Sequence, residues 1–121
     1  MNTPALFNRA DLTDLRVKKV LEILEKKPAA AVEDLASSVN LSSSQLERIF
    51  KTQTGMCLGR YISDVKLHHA ANLLTTTQAQ IKAIALETGY KHSSSFVRAF
   101  FSRFSQSPLS YRSRMRDFAN K

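Results

Sequence analysis

The sequence predicts an all-α protein of seven helices, and three observations carry that expectation. Gly and Pro number three each in 121 residues, so residues that break regular structure are few. Apolar residues recur at i, i+3, i+4 and i+7 along most of the chain. No stretch sustains the apolar/polar alternation that a half-buried strand needs.

The elements follow in order. Leu15, Val20, Ile23 and Leu24 mark a first helix over about residues 11–27, stopped by Pro28, whose ring cannot continue it. Val32, Leu35, Ala36 and Val39 share one face of a short second helix at 32–38. Ser42 or Ser43 caps a third helix that runs to about Gln53 and ends at Gly55. A long fourth helix spans about 58–74, with Tyr61, Ile62, Val65, Ala70, Leu73 and Leu74 facing inward. After the polar connector "TTTQAQ", a fifth helix at 81–88 ends at Gly89. His92 or Ser93 opens a sixth that closes near Phe104, and Pro108 opens a seventh in its first turn.

A repeat lies inside this series. "SSSQLERIF" at 42–50 returns as "SSSFVRAF" at 93–100. Val32, Leu35 and Ala36 correspond to Ile81, Ile84 and Ala85, and Asn40 to Gly89. After a one-residue insertion, Leu46, Arg48 and Phe50 correspond to Phe96, Arg98 and Phe100, and Tyr61 to Tyr111. Each copy is a short helix, a tight turn and a second helix, the helix-turn-helix unit. Ala36 and Ala85 fall where two helices must approach closely. Asn40 and Gly89 fall where the chain must turn through positive φ, which few residues tolerate. The resulting organisation is a tail at 1–10, one helix-turn-helix subdomain at 11–57, a linking helix at 58–75, and a second subdomain at 76–121.

Composition narrows the partners. The formal charge is +8 and the pI about 10.0. Residues 1–60 hold nine Lys/Arg against seven Asp/Glu, whereas residues 61–121 hold nine against three. A basic surface draws polyanions: nucleic acid such as double-stranded DNA first among them, with an anionic membrane surface or an acidic protein as other candidates. A merely solubilising charge is the plain alternative. No apolar run approaches the roughly 20 residues needed to cross a bilayer, and the N-terminus lacks the basic and apolar regions of a signal peptide. With one cysteine, Cys57, no internal disulfide forms, and a cytoplasmic location is expected.

The outer faces of the repeated helices carry the chemistry. On the third helix, Leu46, Ile49, Phe50 and Gln53 form the core-facing stripe, and Ser44, Glu47, Arg48 and Lys51 the outer one. Serines at a helix start suit a phosphate, because free N–H groups and small hydroxyls both donate there. An arginine one turn further in reaches both acceptors of a guanine edge, and a glutamate accepts from a cytosine amino group or pairs with a neighbouring cation. The sixth helix repeats this with Ser93, Ser94, Ser95, Val97 and Arg98 outward, Val97 being suited to a thymine methyl. The expected base-contacting set is therefore Ser44, Glu47, Arg48, Ser94, Ser95, Val97 and Arg98. The expected phosphate-contacting set is Ser42, Ser43, Lys51, Lys91, His92 and Ser93. The alternative for the arginines is pairing within the chain, Arg48 with Glu33 or Asp34 and Arg98 with Glu87.

With these stretches in place, residues from about 15 to 114 resemble the DNA-binding domain of the AraC/XylS family of bacterial transcription regulators. "FKTQTGMCLGRYI", "KLHHAANLL", "IKAIALETGYKHSSSFVRAF" and "SPLSYR" carry the resemblance, the last two most specifically. It implies two small subdomains joined by a long helix, with each recognition helix entering one of two successive major grooves. A linking helix of about 17 residues spans about 26 Å, against about 34 Å between successive grooves on one face. Helix offsets can supply the rest, and the resemblance implies DNA that bends, which adds some readout of shape. It also implies an activator, similar either to the stand-alone members, which act as monomers, or to an excised C-terminal domain. No ligand-binding or dimerising domain is recognisable in these residues, and no small-molecule ligand is expected.

Four positions depart from the family pattern. Phe101 replaces a usual lysine, which removes a phosphate contact and leaves the ring to pack against the last helix. Ser105 stands where glycine is usual, so a different turn is expected. His92 replaces an acidic or serine cap, and Lys66 an arginine.

Other chemistry is absent from the pattern. His68 and His69 are adjacent, so on a helix they point about 100° apart and do not make a ligand pair. Neither Cys57 nor His92 has a partner at ligand spacing, and no glycine loop cradles a phosphate. No metal, cofactor or enzymatic activity is expected. Two readings stand as alternatives to specific regulation: a non-specific architectural nucleic-acid binder, and a protein-interaction module docking RNA polymerase.

Overall fold

A computed structural model describes residues 13–119. Among these there are seven helices and no strand: α1 (Leu15–Lys26), α2 (Val32–Ser38), α3 (Ser43–Thr54), α4 (Leu58–Thr76), α5 (Ile81–Glu87), α6 (Ser93–Phe104) and α7 (Pro108–Ala119). The expected start of the first helix at Asp11 and the tail at 1–10 lie outside the described residues. The chain forms two compact units that divide between Val65 and Lys66, inside α4.

In the first unit, Val17, Val20, Leu21 and Leu24 of α1 pack with Leu35 and Ala36 of α2 and Leu46 and Phe50 of α3. Leu58, Tyr61, Ile62 and Val65 from the first half of α4 complete this core. Helix α1 starts where Asp14 accepts a hydrogen bond from the Arg16 N–H at 2.9 Å. Gln53, expected to face the core as filler, is half-buried with a polar task. Its Oε1 accepts from the N–H groups of Thr13 and Asp14 at 3.2 and 3.1 Å, tying the end of α3 to the start of α1.

The second unit is more aromatic. Leu67, Ala70, Ala71 and Leu74 of α4 pack with Ile84, Ala85, Phe96 and Phe100. Phe100 touches Phe96, Phe104 and Tyr111, with ring centroids 5.8, 4.5 and 5.4 Å apart. Lys66 lies 5.8 Å from the centre of the Tyr90 ring, a cation–π contact that a point charge makes without the guanidinium fork.

The repeat holds at the level of single hydrogen bonds. Asn40 has φ 59° and Gly89 φ 96°, as the turn required. In the first unit Leu41 N–H donates to Ala36 C=O at 2.9 Å and Asn40 N–H to Ser37 C=O. In the second, Tyr90 N–H donates to Ala85 C=O at 2.8 Å and Gly89 N–H to Leu86 C=O. Both are Schellman closures, in which a left-handed residue lets the chain satisfy the last carbonyls of a helix. Helices α3 and α6 are each 12 residues long and end on the left-handed residues Gly55 (φ 79°) and Ser105 (φ 59°). The expectation of a different turn at Ser105 is therefore corrected: serine adopts the glycine conformation.

Helix α7 is held by a contact that the sequence did not announce. Arg112 Nε donates to Leu74 C=O at 2.9 Å, and its Nη2 donates to Ala79 C=O at 2.7 Å and Thr77 C=O at 3.4 Å. Arg116 Nη2 adds a bond to Thr77 C=O at 2.9 Å. The guanidinium thus gathers carbonyls from the last turns of α4 and the connector after it, groups that a helix end leaves without partners. Burial, and then the neighbouring Arg116 charge, lower the Arg112 pKa from its usual value.

Candidate nucleic-acid interface

Each unit presents the second helix of its helix-turn-helix with a polar outer face. On α3, Ser44, Glu47, Arg48 and Lys51 are exposed, while Leu46 and Phe50 on the opposite side are fully buried. Ser42 is the N-cap. Its hydroxyl accepts from Gln45 N–H at 3.2 Å, and the Gln45 side chain accepts from Ser42 N–H at 2.9 Å. This capping box fixes where α3 begins and leaves the Ser42 O–H free to donate to a phosphate. Ser43 follows in the first turn and is half-buried.

The α3 face borders a groove of about 830 Å³ lined by Ser44, Glu47, Arg48, Lys51, Thr52, Cys57, Leu58 and Gly59. The walls come from α3 and the first turn of α4. Around Gly59 there is open space, with no atom within 4 Å of where a Cβ would stand. Cys57 precedes α4, and Leu58 and Gly59 open it, so these three enter the groove only through the fold and their sequence positions give no sign of it.

On α6, Ser94, Ser95 and Arg98 are exposed, as are Lys91 and His92 just before the helix, and Ser93 is half-buried. Val97 differs from expectation. It is half-buried and packs against the second core, so its methyl groups are shared between packing and the outer face. His92 occupies the N-cap position, but its side chain makes no capping hydrogen bond. The first turn of α6 therefore lacks the reciprocal cap that closes α3, and its N–H groups suit an anion. Phe101, expected to pack against α7, is 57% exposed and is not among the side chains packed on the second core.

Arg48 and Arg98 stand one turn into their helices, at matching positions, and both are exposed. The ion pair found among the described residues joins Arg16 and Asp14 at 2.9 Å and involves neither. The pairings of Arg48 with Glu33 or Asp34, and of Arg98 with Glu87, are not made. Among the described residues, no helix is long and apolar enough to cross a membrane. Nor do any three of His, Cys, Asp and Glu come together to hold a metal ion among them.

Comparison with known proteins agrees with this geometry. Residues 35–114 match the sequence family described as a helix-turn-helix domain. The regulatory protein SoxS of Escherichia coli (strain K12) is 36% identical over 84 residues, covering 69% of this chain and 78% of SoxS. The HTH-type transcriptional activator RhaR of Mannheimia succiniciproducens is 38% identical over 81 residues, covering 67% of this chain and 29% of RhaR. The chain spans about a third of the length of the longer curated relatives it matches. Among solved structures, the DNA-binding domain of AdpA, crystallised with a target DNA, superposes with a TM-score of 0.77. The overlap covers 88% of this chain and 97% of that one at 21% identity, a likeness of fold.

Proposed function

The chain belongs to the AraC/XylS family of transcription regulators, and on that premise we propose that it binds DNA sequence-specifically through two recognition helices. The family is one of DNA-binding regulators and not of enzymes. Helices α3 and α6 each enter a major groove, the two grooves being successive. Arg48 and Arg98 each take a guanine edge, with Ser44, Glu47, Ser94, Ser95 and Val97 reading neighbouring bases. Ser42, Ser43, Lys51, Lys91, His92 and Ser93, with first-turn N–H groups, hold phosphates and set register.

The observation that carries this reading is the matched pair of arginines. One helix-turn-helix with an exposed arginine is a common surface feature. Two, with matching turn closures and equal helix lengths, support one shared role for Arg48 and Arg98 in their two units. Activation, action as a monomer in the cytoplasm, and contact with RNA polymerase belong to the same proposal. Relatives named as activators support the first of these.

Selection of bound duplexes from a randomised pool of about 25 base pairs tests it, long enough for two blocks one helical turn apart. Two enriched blocks at that spacing are expected. A single block leaves one unit reading sequence, and none returns the chain to non-specific architectural binding, with steep salt dependence and little preference.

A further inference from the structure

The two recognition faces share their arginine but differ along one flank. Matching positions are 50 apart: Arg48 with Arg98, Gly55 with Ser105, and the starts of α3 and α6 at Ser43 and Ser93. In that register Ser44, Glu47 and Lys51 correspond to Ser94, Val97 and Phe101. At about 100° per residue these three positions form one stripe beside the arginine, about 10 Å long. Helix α3 fills it with groups that accept or donate hydrogen bonds. Helix α6 fills it with two apolar side chains.

Phe101 is the more telling of the two. Its side chain is 57% exposed, and among the described residues no other large apolar side chain on α3 or α6 is left in water. The rings around it pair with one another: Phe96 with Tyr90, Phe104 with Phe100 and with Tyr111. Phe101 is not one of the side chains packed on the second core. Its backbone is fixed all the same, because Phe101 C=O accepts from Ser105 N–H at 2.7 Å as the helix closes. An exposed apolar ring on a fixed stretch of helix backbone, on a face proposed to meet DNA, is favoured by an apolar group to pack on. In the major groove that group is the thymine C5-methyl.

We propose that Phe101 is a specificity-determining residue that packs on a thymine methyl at one edge of the block read by α6. The inference rests on the DNA-binding reading above and adds the chemistry of one position. The α3 block carries a phosphate contact from Lys51 at the matching place, so the two half-sites differ in kind: one is read by hydrogen bonds, the other partly by methyl groups.

The test uses the duplex recovered from the selection, with each thymine of the second block replaced singly by deoxyuridine, which lacks only the methyl. Binding is measured for the whole chain and for Phe101→Ala and Phe101→Lys, after circular dichroism and urea melts confirm that both variants fold. One deoxyuridine position is expected to weaken the wild type about 3- to 5-fold, the value of one buried methyl group. The same replacement is expected to leave Phe101→Ala unchanged. Phe101→Lys should lose the thymine preference while steepening the salt dependence by about one phosphate contact. If Phe101→Ala weakens every sequence alike, the ring packs on sugar and the inference fails. It fails equally if Phe101→Ala binds as the wild type does, which would place the ring outside the interface. A selection that enriches no second block overturns the two-helix DNA reading itself, whereas an enriched block indifferent to Phe101 overturns this inference alone.

Discussion

Replacing Arg112 by alanine removes the guanidinium that ties α7 to the end of α4. Two of its bonds are short, to Leu74 C=O at 2.9 Å and Ala79 C=O at 2.7 Å; the third, to Thr77 C=O at 3.4 Å, is marginal and is backed by Arg116 at 2.9 Å. Hydrogen bonds to charged groups contribute about 1.5–3 kcal/mol each. The site is part-buried, so water reaches the orphaned carbonyls and the low end applies. The expected loss is about 2–4 kcal/mol, a large share of the 5–15 kcal/mol that typically holds a domain together. Arg112→Lys keeps the charge but replaces a planar fork by one point donor, so it should recover about half of that loss. Urea unfolding followed by circular dichroism reads both values. A loss under about 1 kcal/mol for alanine, or a lysine variant as stable as the wild type, would refute the fork as the tie between these elements.

Other consequences follow from single residues. Ser105→Gly should stabilise the chain by about 0.5–1 kcal/mol, because a non-glycine residue at φ 59° carries a left-handed penalty. Gly55→Ala should destabilise by about 1 kcal/mol from backbone strain alone, since nothing lies within 4 Å of its Cβ position; paired urea melts compare the two. Arg48→Ala and Arg98→Ala should each cost about 1–3 kcal/mol of DNA binding and relax preference in one block, as read by repeating the selection with each variant. Asp14 is held below its usual pKa of 3.8, chiefly by the hydrogen bond from Arg16, so its contribution is full above that value and lost as pH falls through the lowered one. Asp14→Ala should therefore cost about 1 kcal/mol at pH 7, the usual worth of a cap, and progressively less as pH falls below 3.8, in melts run across that range.

The helices and the repeat were legible because they depend on local rules. Proline, left-handed turn residues and 3.6-residue periodicity act within a few positions of themselves, so Asn40, Gly89 and Pro108 could be placed from the sequence alone. What escaped was chemistry joining residues about 40 apart. Gln53 fits an apolar stripe by spacing, yet serves the start of α1 at a sequence distance of 39 and 40 residues. Arg112 reads as one more basic residue in a basic half, although it reaches carbonyls 33 to 38 residues away. The groove beside α3 was invisible for the same reason, because Cys57, Leu58 and Gly59 reach it only through the packing of α4. Val97 and Phe101 lie on one edge of the outer face, the first half-buried and the second exposed: helical phase assigns a face, but burial along its edge depends on the neighbouring helices.

These errors also limit how the basic charge should be counted. Nine Lys/Arg lie in residues 61–121, yet several have other work. Arg112 and Arg116 are spent on carbonyls, Lys66 lies over Tyr90, and Arg103 lies 5.2 Å from the centre of the Phe104 ring. Bonds to neutral carbonyls and rings leave each positive charge in place but engage these side chains in the fold, so in the proposed reading Arg98 and Lys91, both exposed, make the direct contacts to DNA. The same division separates stability from specificity. The exposed residues proposed to read bases, such as Glu47, Arg48, Arg98 and Phe101, can change at little cost to folding, because surface substitutions away from caps and cores usually stay within about 0.5 kcal/mol. Ser42 and Val97 cannot, since one caps α3 and the other packs on the second core. Under the proposed reading, a chain built this way acquires a new operator by altering the first group, while the closures at Ala36–Leu41 and Ala85–Tyr90 keep each helix-turn-helix in shape.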